Sequence, residues 1–275
     1  MKVLIFGNGY MGNKFHARMP GSVISKADIA DPVAVRAALK EHSPDAVLNC
    51  AGKTGKPNVD WCEDHKLETF HSNVLGPLNL ADVCLAEGVY LAHLGSGCVY
   101  EGDNNGKGFS EDDAPNFAGS YYSKTKAASE QPLRDFPVLQ VRLRMPFDSE
   151  PGARNLITKL AAYPNIINVP NSISNTDEFI TATLKLMEKR RTGIYNVTNP
   201  GAVTQKEIID AYCELVEPGH KYKIISLDEL YTFTKARRSN CVLSSKKLEA
   251  DGIRLRPVMQ AVRETLLEYS KNLKK

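Results

Sequence analysis

Short apolar runs alternate with amphipathic stretches through the first half of the chain. Val3–Phe6, Ser22–Ser25, Ala46–Asn49, Val89–Gly95 and Val138–Leu143 each span four to seven residues and carry β-branched or aromatic side chains, which predicts strands. Helices are expected between them over about 10–18, 32–41, 60–86 and 120–134, with Gly76-Pro77 a candidate break in the third. Asp31-Pro32 supplies an N-cap followed by proline at the first helical position. Strands that are apolar throughout, rather than alternating, belong in a parallel sheet covered on both faces. The expected fold class is therefore α/β and doubly wound, with residues 1–150 as the main domain. After residue 150 the rhythm changes. Helical stretches near 154–162, 176–190, 204–216 and 258–273 are separated by short runs such as Ile166–Val169 and Gly193–Val197. Residues 151–275 read as a smaller lobe, interleaved with returns to the main sheet.

Composition narrows the class. With 275 residues, 42% hydrophobic and 24% charged, the chain is neither disordered, collagen-like nor coiled-coil. Its net charge of +3 is unevenly spread: residues 1–150 carry 15 Lys/Arg against 19 Asp/Glu, and residues 151–275 carry 20 against 13. Either the second half has a lysine-rich surface ending in Lys271, Lys274 and Lys275, or it faces an anionic small molecule. Its basic residues are scattered, without an arginine-rich run interleaved with aromatics, which points away from nucleic acid. The six cysteines form no C-x-x-C, so neither a disulfide scaffold nor a metal site is expected. The opening MKVLIF is too short for a signal segment, and no apolar stretch approaches the roughly 20 residues that span a bilayer. A cytoplasmic protein with no membrane partner is expected.

Gly7-Asn8-Gly9-Tyr10-Met11-Gly12 places G-x-G-x-x-G directly after the first strand and at the opening of the first helix. Glycines there let the backbone turn tightly and approach a pyrophosphate, which would sit on the free N–H groups of the helix. The sheet is accordingly read as Rossmann-like. A carboxylate at the end of the second strand would favour NAD. Here Ser25 is followed by Lys26, which leans toward NADP(H), with Lys26 or Arg18 near the 2′-phosphate; the alternative is two surface cations without a ligand. Asp28 is a candidate adenine neighbour or a solvated loop carboxylate. Cys50-Ala51-Gly52 ends the third strand with residues small enough to pass close to a ribose, or forms a plain tight turn.

Tyr122 and Lys126 stand four apart on an expected helix, so phenol and ammonium share a face. A nearby cation favours phenolate and is expected to lower the tyrosine pKa. The phenol could protonate a carbonyl oxygen as hydride reaches its carbon. Upstream, Gly95-Ser96-Gly97-Cys98 closes the fourth strand. On an extended strand Ser96 and Cys98 project to one side, and the two glycines leave the other side open. Cys98 also reads as a small buried apolar residue.

The glycine turn, Asn73-Val74-Leu75-Gly76, Ser96 and Tyr122/Lys126 together resemble the extended short-chain dehydrogenase/reductase superfamily. More narrowly, the resemblance is to the nucleotide-rhamnose synthase/epimerase-reductases, related to dTDP-4-dehydrorhamnose reductase. It is carried by residues 54–63 (TGKPNVDWCE), 115–120 (PNFAGS), 122–126 (YSKTK), 154–159 (RNLITK), 169–172 (VPNS) and 238–240 (RSN), and runs through most of the chain. One departure is that the family's G-x-x-G-x-x-G is one residue shorter here.

The resemblance implies conversion of UDP-4-dehydro-6-deoxy-D-glucose to UDP-L-rhamnose with NADPH. Ser96, Tyr122 and Lys126 match the reductase triad, and Cys98 and Lys159 the acid/base pair of 3,5-epimerisation. Removal of the C3 and C5 protons would give an enolate that the Ser96 and Tyr122 hydroxyls stabilise. Lys159 or Lys126 would activate the Cys98 thiol. Arg237 and Arg238 are candidate diphosphate ligands, or a solvated surface pair. Asn155 is a candidate substrate ligand or a helix cap. A homodimer through helices 60–86 and 120–134, and an upstream UDP-glucose 4,6-dehydratase, are the implied partners. The competing readings are a 4-reductase acting on an already epimerised sugar, and a binding module without turnover, similar to the regulatory β subunit of methionine adenosyltransferase.

Overall fold

The first half of the chain runs β1 (Val3–Phe6), α1 (Tyr10–Arg18), β2 (Val23–Ser25), α2 (Pro32–His42), β3 (Ala46–Asn49), α3 (Trp61–Asp64), α4 (Lys66–Phe70), a π-helical turn (His71–Leu75), α5 (Gly76–Ala86), β4 (Tyr90–Ser96), α6 (Tyr121–Leu133) and β5 (Leu139–Leu143). The second half adds β6 (Pro146–Phe147), α7 (Leu156–Ala162), β7 (Asn165–Ile167), β8 (Ser174–Asn175), α8 (Thr176–Glu188), β9 (Gly193–Asn196), α9 (Gln205–Leu215), β10 (Lys223–Ile225), α10 (Leu227–Tyr231), α11 (Lys246–Ala250) and α12 (Val258–Asn272). This is a computed structural model, and it describes residues 1–274.

The main sheet has the order β2-β1-β3-β4-β5-β9 with every pair parallel. Successive residues of β1 point to opposite faces. Val3 and Ile5 join Phe15, Leu48, Val141 and Phe179 on one side; Leu4 and Phe6 join Val35, Leu39, Val47 and Leu80 on the other. Burial on both faces is why β1 is apolar at every position. The order reverses between β1 and β3, which opens a crevice at the carboxyl ends of those strands, where ligands of doubly wound sheets bind.

The stretch expected as one helix over 60–86 is divided elsewhere. His65 leaves helical geometry at φ −122° and ψ 51°, separating α3 from α4. Gly76-Pro77 causes no break: Pro77 falls in the first turn of α5, directly after the π-helical turn. A Cβ at Gly76 would lie 2.5 Å from Ile29 Cδ1, so the glycine answers to packing against the loop after β2.

The second half builds its own core from Phe147, Ile157, Leu160, Ile208, Ile209, Val262 and Leu266. β7 pairs with β10 and β6 with β8, both parallel. Other parts return to the main sheet: β9 extends it beside β5, and Phe179 of α8 and Leu248 of α11 enter its core. Among the described residues no helix is long and apolar enough to cross a membrane.

Candidate active site

The glycine turn lies at the mouth of the crevice. Gly7 adopts φ +104°, and a Cβ on it would meet Ala51 N at 2.4 Å. At Gly12 a Cβ would stand 1.9 Å from the Gly7 carbonyl oxygen. Glycine is therefore required at both positions by contacts within the protein itself. At Gly9 nothing lies within 4 Å, so that position opens outward. Gly9 also caps α1 without a side-chain bond, which leaves the first-turn N–H groups of Tyr10, Met11 and Gly12 free for an anion. A turn shaped this way fits a dinucleotide pyrophosphate. The Tyr10 side chain points away from that role: its hydroxyl donates to Asp148, which also pairs with Lys14 at 2.9 Å. Burial and this carboxylate push the phenol well above its usual range.

Asn49 braces the neighbouring turn, its Oδ1 accepting from Ala51 N at 3.0 Å and its Nδ2 lying 3.0 Å from His93 Nδ1. Burial, with the charge of Lys126 adding to it, holds His93 far below the usual imidazole range. Burial likewise pushes the Cys50 thiol up. Gly52 and Lys53 are clamped by Asn73 of the π-helical turn, which accepts from Lys53 N at 2.7 Å and donates to Thr125 at 3.1 Å. Asp28 spends one carboxylate oxygen on Ala30 N at 2.9 Å, as a turn former. Lys26 follows β2 directly, at the ligand end of the sheet. Arg18 ends α1 instead, about 12 Å of helix from the glycine turn, and is paired with Asp177.

The chemistry gathers at the end of β4. Ser96 is the last residue of that strand, and Cys98 lies in the turn beyond it, its N–H donating to Ser96 Oγ at 3.1 Å. This turn, rather than strand alternation, sets where Cys98 points. Nor is the far side of Gly95 and Gly97 open. A Cβ at Gly97 would lie 2.6 Å from Leu243 Cδ1 and 3.1 Å from Arg144 Cδ, and one at Gly95 3.6 Å from Arg142 Cγ.

Tyr122 and Lys126 share one face of α6, capped by Ser120, whose Oγ accepts from Ser123 N at 3.1 Å. Lys126 does not lower Tyr122. Burial and the neighbouring Cys98 push the phenol up, and the opposing pull of Ser96 and Arg144 is weaker. Lys126 donates to the Leu94 carbonyl at 3.0 Å, and burial brings its own pKa down to about 8 against the pull of Glu130 and Cys98. The site thus holds a protonated phenol, the form that donates to a carbonyl oxygen.

Lys159 stands on α7, and among the described residues it has no ion-pair partner. Burial and the charge of Arg154 bring it below the usual amine range. Two expected substrate ligands are otherwise engaged. Asn155 is fully buried: Oδ1 caps α7 at Ile157 N (3.0 Å), while Nδ2 donates to the carbonyls of Asp148 (2.7 Å) and Glu150 (2.8 Å). Arg238 is forked onto Asp60 at 2.7 and 2.9 Å, a strut between the halves of the chain that holds the Asp60 carboxyl below its usual range against the cost of burial. Arg237 is exposed, with its guanidinium 5.4 Å from the Tyr231 ring centre and no carboxylate on it among the described residues.

The family-like stretches converge in space. Glu63 accepts from Tyr121 N at 2.6 Å and so anchors the start of α6. Asn171 and Ser239 both accept from Arg144, whose Nη1 donates to Cys98 Sγ at 2.9 Å. Arg144 was not a sequence candidate. Its one signal is an R-x-R at the end of β5.

With this fold and this Ser–Tyr–Lys arrangement, the molecule is of the short-chain dehydrogenase/reductase type. Residues 1–271 match the RmlD substrate binding domain family, and the chain belongs to it. It is 37% identical over 97% of its length to the bifunctional dTDP-4-dehydrorhamnose 3,5-epimerase/dTDP-4-dehydrorhamnose reductase of Arabidopsis thaliana, covering 91% of that protein. It is 38% identical over 98% of its length to a trifunctional UDP-glucose 4,6-dehydratase/UDP-4-keto-6-deoxy-D-glucose 3,5-epimerase/UDP-4-keto-L-rhamnose-reductase of the same plant, of which it spans 42%. Among solved structures it is similar to the L780 UDP-rhamnose synthase of Acanthamoeba polyphaga mimivirus, with a TM-score of 0.93 and 33% identity over 98% of this chain and 99% of that one.

Proposed function

We propose that this protein is an NADPH-dependent 3,5-epimerase/4-reductase that converts UDP-4-dehydro-6-deoxy-D-glucose to UDP-L-rhamnose. The observation that carries the reading is the Cys98 thiol beside the Ser96/Tyr122 hydroxyls, in a chain whose 37–38% identical relatives are named for both activities. A reductase alone needs the hydroxyls and Lys126 but has no use for that thiol or for a Lys159 that is depressed by burial and has no ion-pair partner among the described residues.

Protons on C3 and C5 of the sugar flank the C4 ketone, so loss of either gives an enolate whose charge rests on the C4 oxygen. Ser96 and Tyr122 hold that oxygen. Cys98 and Lys159 remove a proton on one face and return one on the other, which inverts the carbon. When bound, NADPH supplies the hydride for C4. Tyr122 then gives its proton to the C4 oxygen, and Lys126 supports the charge left on the phenol. The glycine turn with Tyr10, Met11 and Gly12 holds the pyrophosphate; Cys50, Ala51, Gly52 and Asp28 flank the nucleoside, and Tyr122 and Lys126 face the reactive end of the cofactor. Arg237 is the diphosphate ligand left open once Arg238 is committed to Asp60. Residues 1–150 serve as cofactor domain and 151–275 as substrate lobe. A cytoplasmic homodimer through α3–α5 and α6, fed by a 4,6-dehydratase, completes the reading; Leu67 and Leu75, exposed on that helical stretch, support it.

Incubation of UDP-4-dehydro-6-deoxy-D-glucose with enzyme and NADPH in D2O is expected to yield UDP-rhamnose carrying deuterium at C3 and C5. Cys98→Ala is expected to slow deuterium uptake at least about 100-fold, read by NMR. Rhamnose formed only when a separate epimerase is added would leave the reductase-only reading. The cofactor turn has its own test. Gly9→Ala meets no protein atom within 4 Å, so thermal stability is kept while NADPH affinity drops about tenfold or more, ~1.4 kcal/mol. Unchanged affinity in a fluorescence titration takes the pyrophosphate off this turn.

A further inference from the structure

Two arginines lie two residues apart at the end of β5, both fully buried, and only one has a carboxylate. Arg142 is held by Glu130 through Nε at 2.8 Å and Nη2 at 2.7 Å. Arg144, 1% exposed, has no Asp or Glu within ion-pair distance among the described residues. Nη2 donates to the Ser239 carbonyl at 2.6 Å and to Asn171 Oδ1, Nη1 donates to Cys98 Sγ at 2.9 Å, and Nε has no partner. A buried guanidinium without a counter-charge is costly to keep out of water. Burial works against its proton, yet Arg144 holds it more tightly than usual, through Cys241 and Cys98.

We propose that Arg144 is a positioning residue for proton transfer at Cys98: its buried charge is the counter-ion of the sulfur, and its guanidinium fork fixes where the sulfur points. This rests on the epimerase reading above. Gly97 makes room for the arginine stem between Ser96 and Cys98. Asn171 and Ser239, from the second half of the chain, hold the fork from behind, and Asn171 is itself fixed by Asn240 at 3.0 Å. The other titratable groups facing the pair are Tyr122 and Lys126 from α6 and Cys241 from the segment after Asn240. In the transfer, the negative sulfur takes a proton from the carbon beside the C4 ketone, and an S–H bond forms as the C–H bond breaks. The electron pair moves into the enolate, whose charge comes to rest on the oxygen at Ser96 and Tyr122. Lys159 returns a proton to the opposite face of the carbon, and the proton held by Cys98 passes to solvent, so that Arg144 again faces a charged sulfur.

The test is alkylation of Cys98 by iodoacetamide at neutral pH, with the modified peptide identified by mass. Arg144→Met is expected to slow it about tenfold or more, the effect of removing one adjacent charge, and Arg144→Lys to recover most of the rate. Deuterium uptake from D2O should fall at least as far in Arg144→Met, and NADPH oxidation with an already epimerised 4-keto sugar should fall less. An unchanged alkylation rate in Arg144→Met, or no recovery in Arg144→Lys, overturns the pairing. Should Arg144→Met not fold, the unmutated protein decides: a cation beside the sulfur is expected to raise the ratio of the iodoacetate rate to the iodoacetamide rate at Cys98 in the folded chain above that in the urea-unfolded one, and an equal or lower ratio overturns the proposal. Alkylation that follows the charge, without deuterium uptake by any form, keeps the pair and removes the epimerase reading.

Discussion

Tyr122→Phe is expected to lower the rate of NADPH oxidation with a nucleotide 4-keto-6-deoxy sugar by roughly 10²–10⁴, the span that a positioned proton donor contributes. Phenylalanine keeps the ring and its packing, so the thermal transition and NADPH affinity should stay close to the parent. Reduction, not binding, is what the variant tests. The phenol is suited to donation because burial and the adjacent Cys98 keep it protonated. Deuterium uptake should also slow, by less, since Ser96 still donates to the enolate oxygen. The pH dependence has a definite sign. Lys126 is brought down to about 8, so its charge is present below that pH and lost above it, and reduction is expected to fall as pH rises through about 8. A Tyr122→Phe enzyme within a few-fold of the parent in single-turnover reduction would mean that another group supplies the proton.

The largest stability effect is expected at Glu130, remote from the cofactor turn. Glu130→Gln leaves Arg142 buried without its ion-pair partner; what remains are Asn196 Oδ1 at 3.1 Å, the Ser110 carbonyl at 3.5 Å, the Tyr100 ring with its centre 5.0 Å from the guanidinium and the more distant charge of Glu111. Breaking a buried pair from one side costs about 3–5 kcal/mol, which for a chain of this size lowers the thermal midpoint by roughly 6–20 °C. The double variant Glu130→Gln/Arg142→Met removes the stranded charge and should recover a good part of the loss, as a double-mutant cycle by calorimetry or urea titration would show. A single variant within about 1 kcal/mol of the parent would mean that Arg142 finds water or another acceptor.

What could be read before the fold was known depended on how local each signal was. The strands could be read because burial on both faces leaves an uninterrupted apolar run, as in Val3–Phe6. The cap at Asp31 could be read because its bonds reach only Val33 and Ala34. The expected helix 60–86 is too long because His65 breaks it through backbone geometry that no residue type announces. Gly76 looked like punctuation, but the reason for it is Ile29, distant in the chain.

The same distinction holds for the site. By itself the sequence determined the glycine turn after β1, the shared face of Tyr122 and Lys126, and the family, because each depends on spacings of a few residues or on stretches quoted whole. Only the tertiary structure decided which charges those residues meet. It committed Arg238 to Asp60, 178 residues away, and turned Asn155 inward as a cap; the partner of Cys98 proved to be Arg144 rather than a lysine. It also set the phenol of Tyr122 above its usual range instead of below. The reason is physical: a helical or strand period fixes where a side chain points relative to its neighbours, whereas burial and ion pairing depend on segments that only the closed fold brings within about 3 Å.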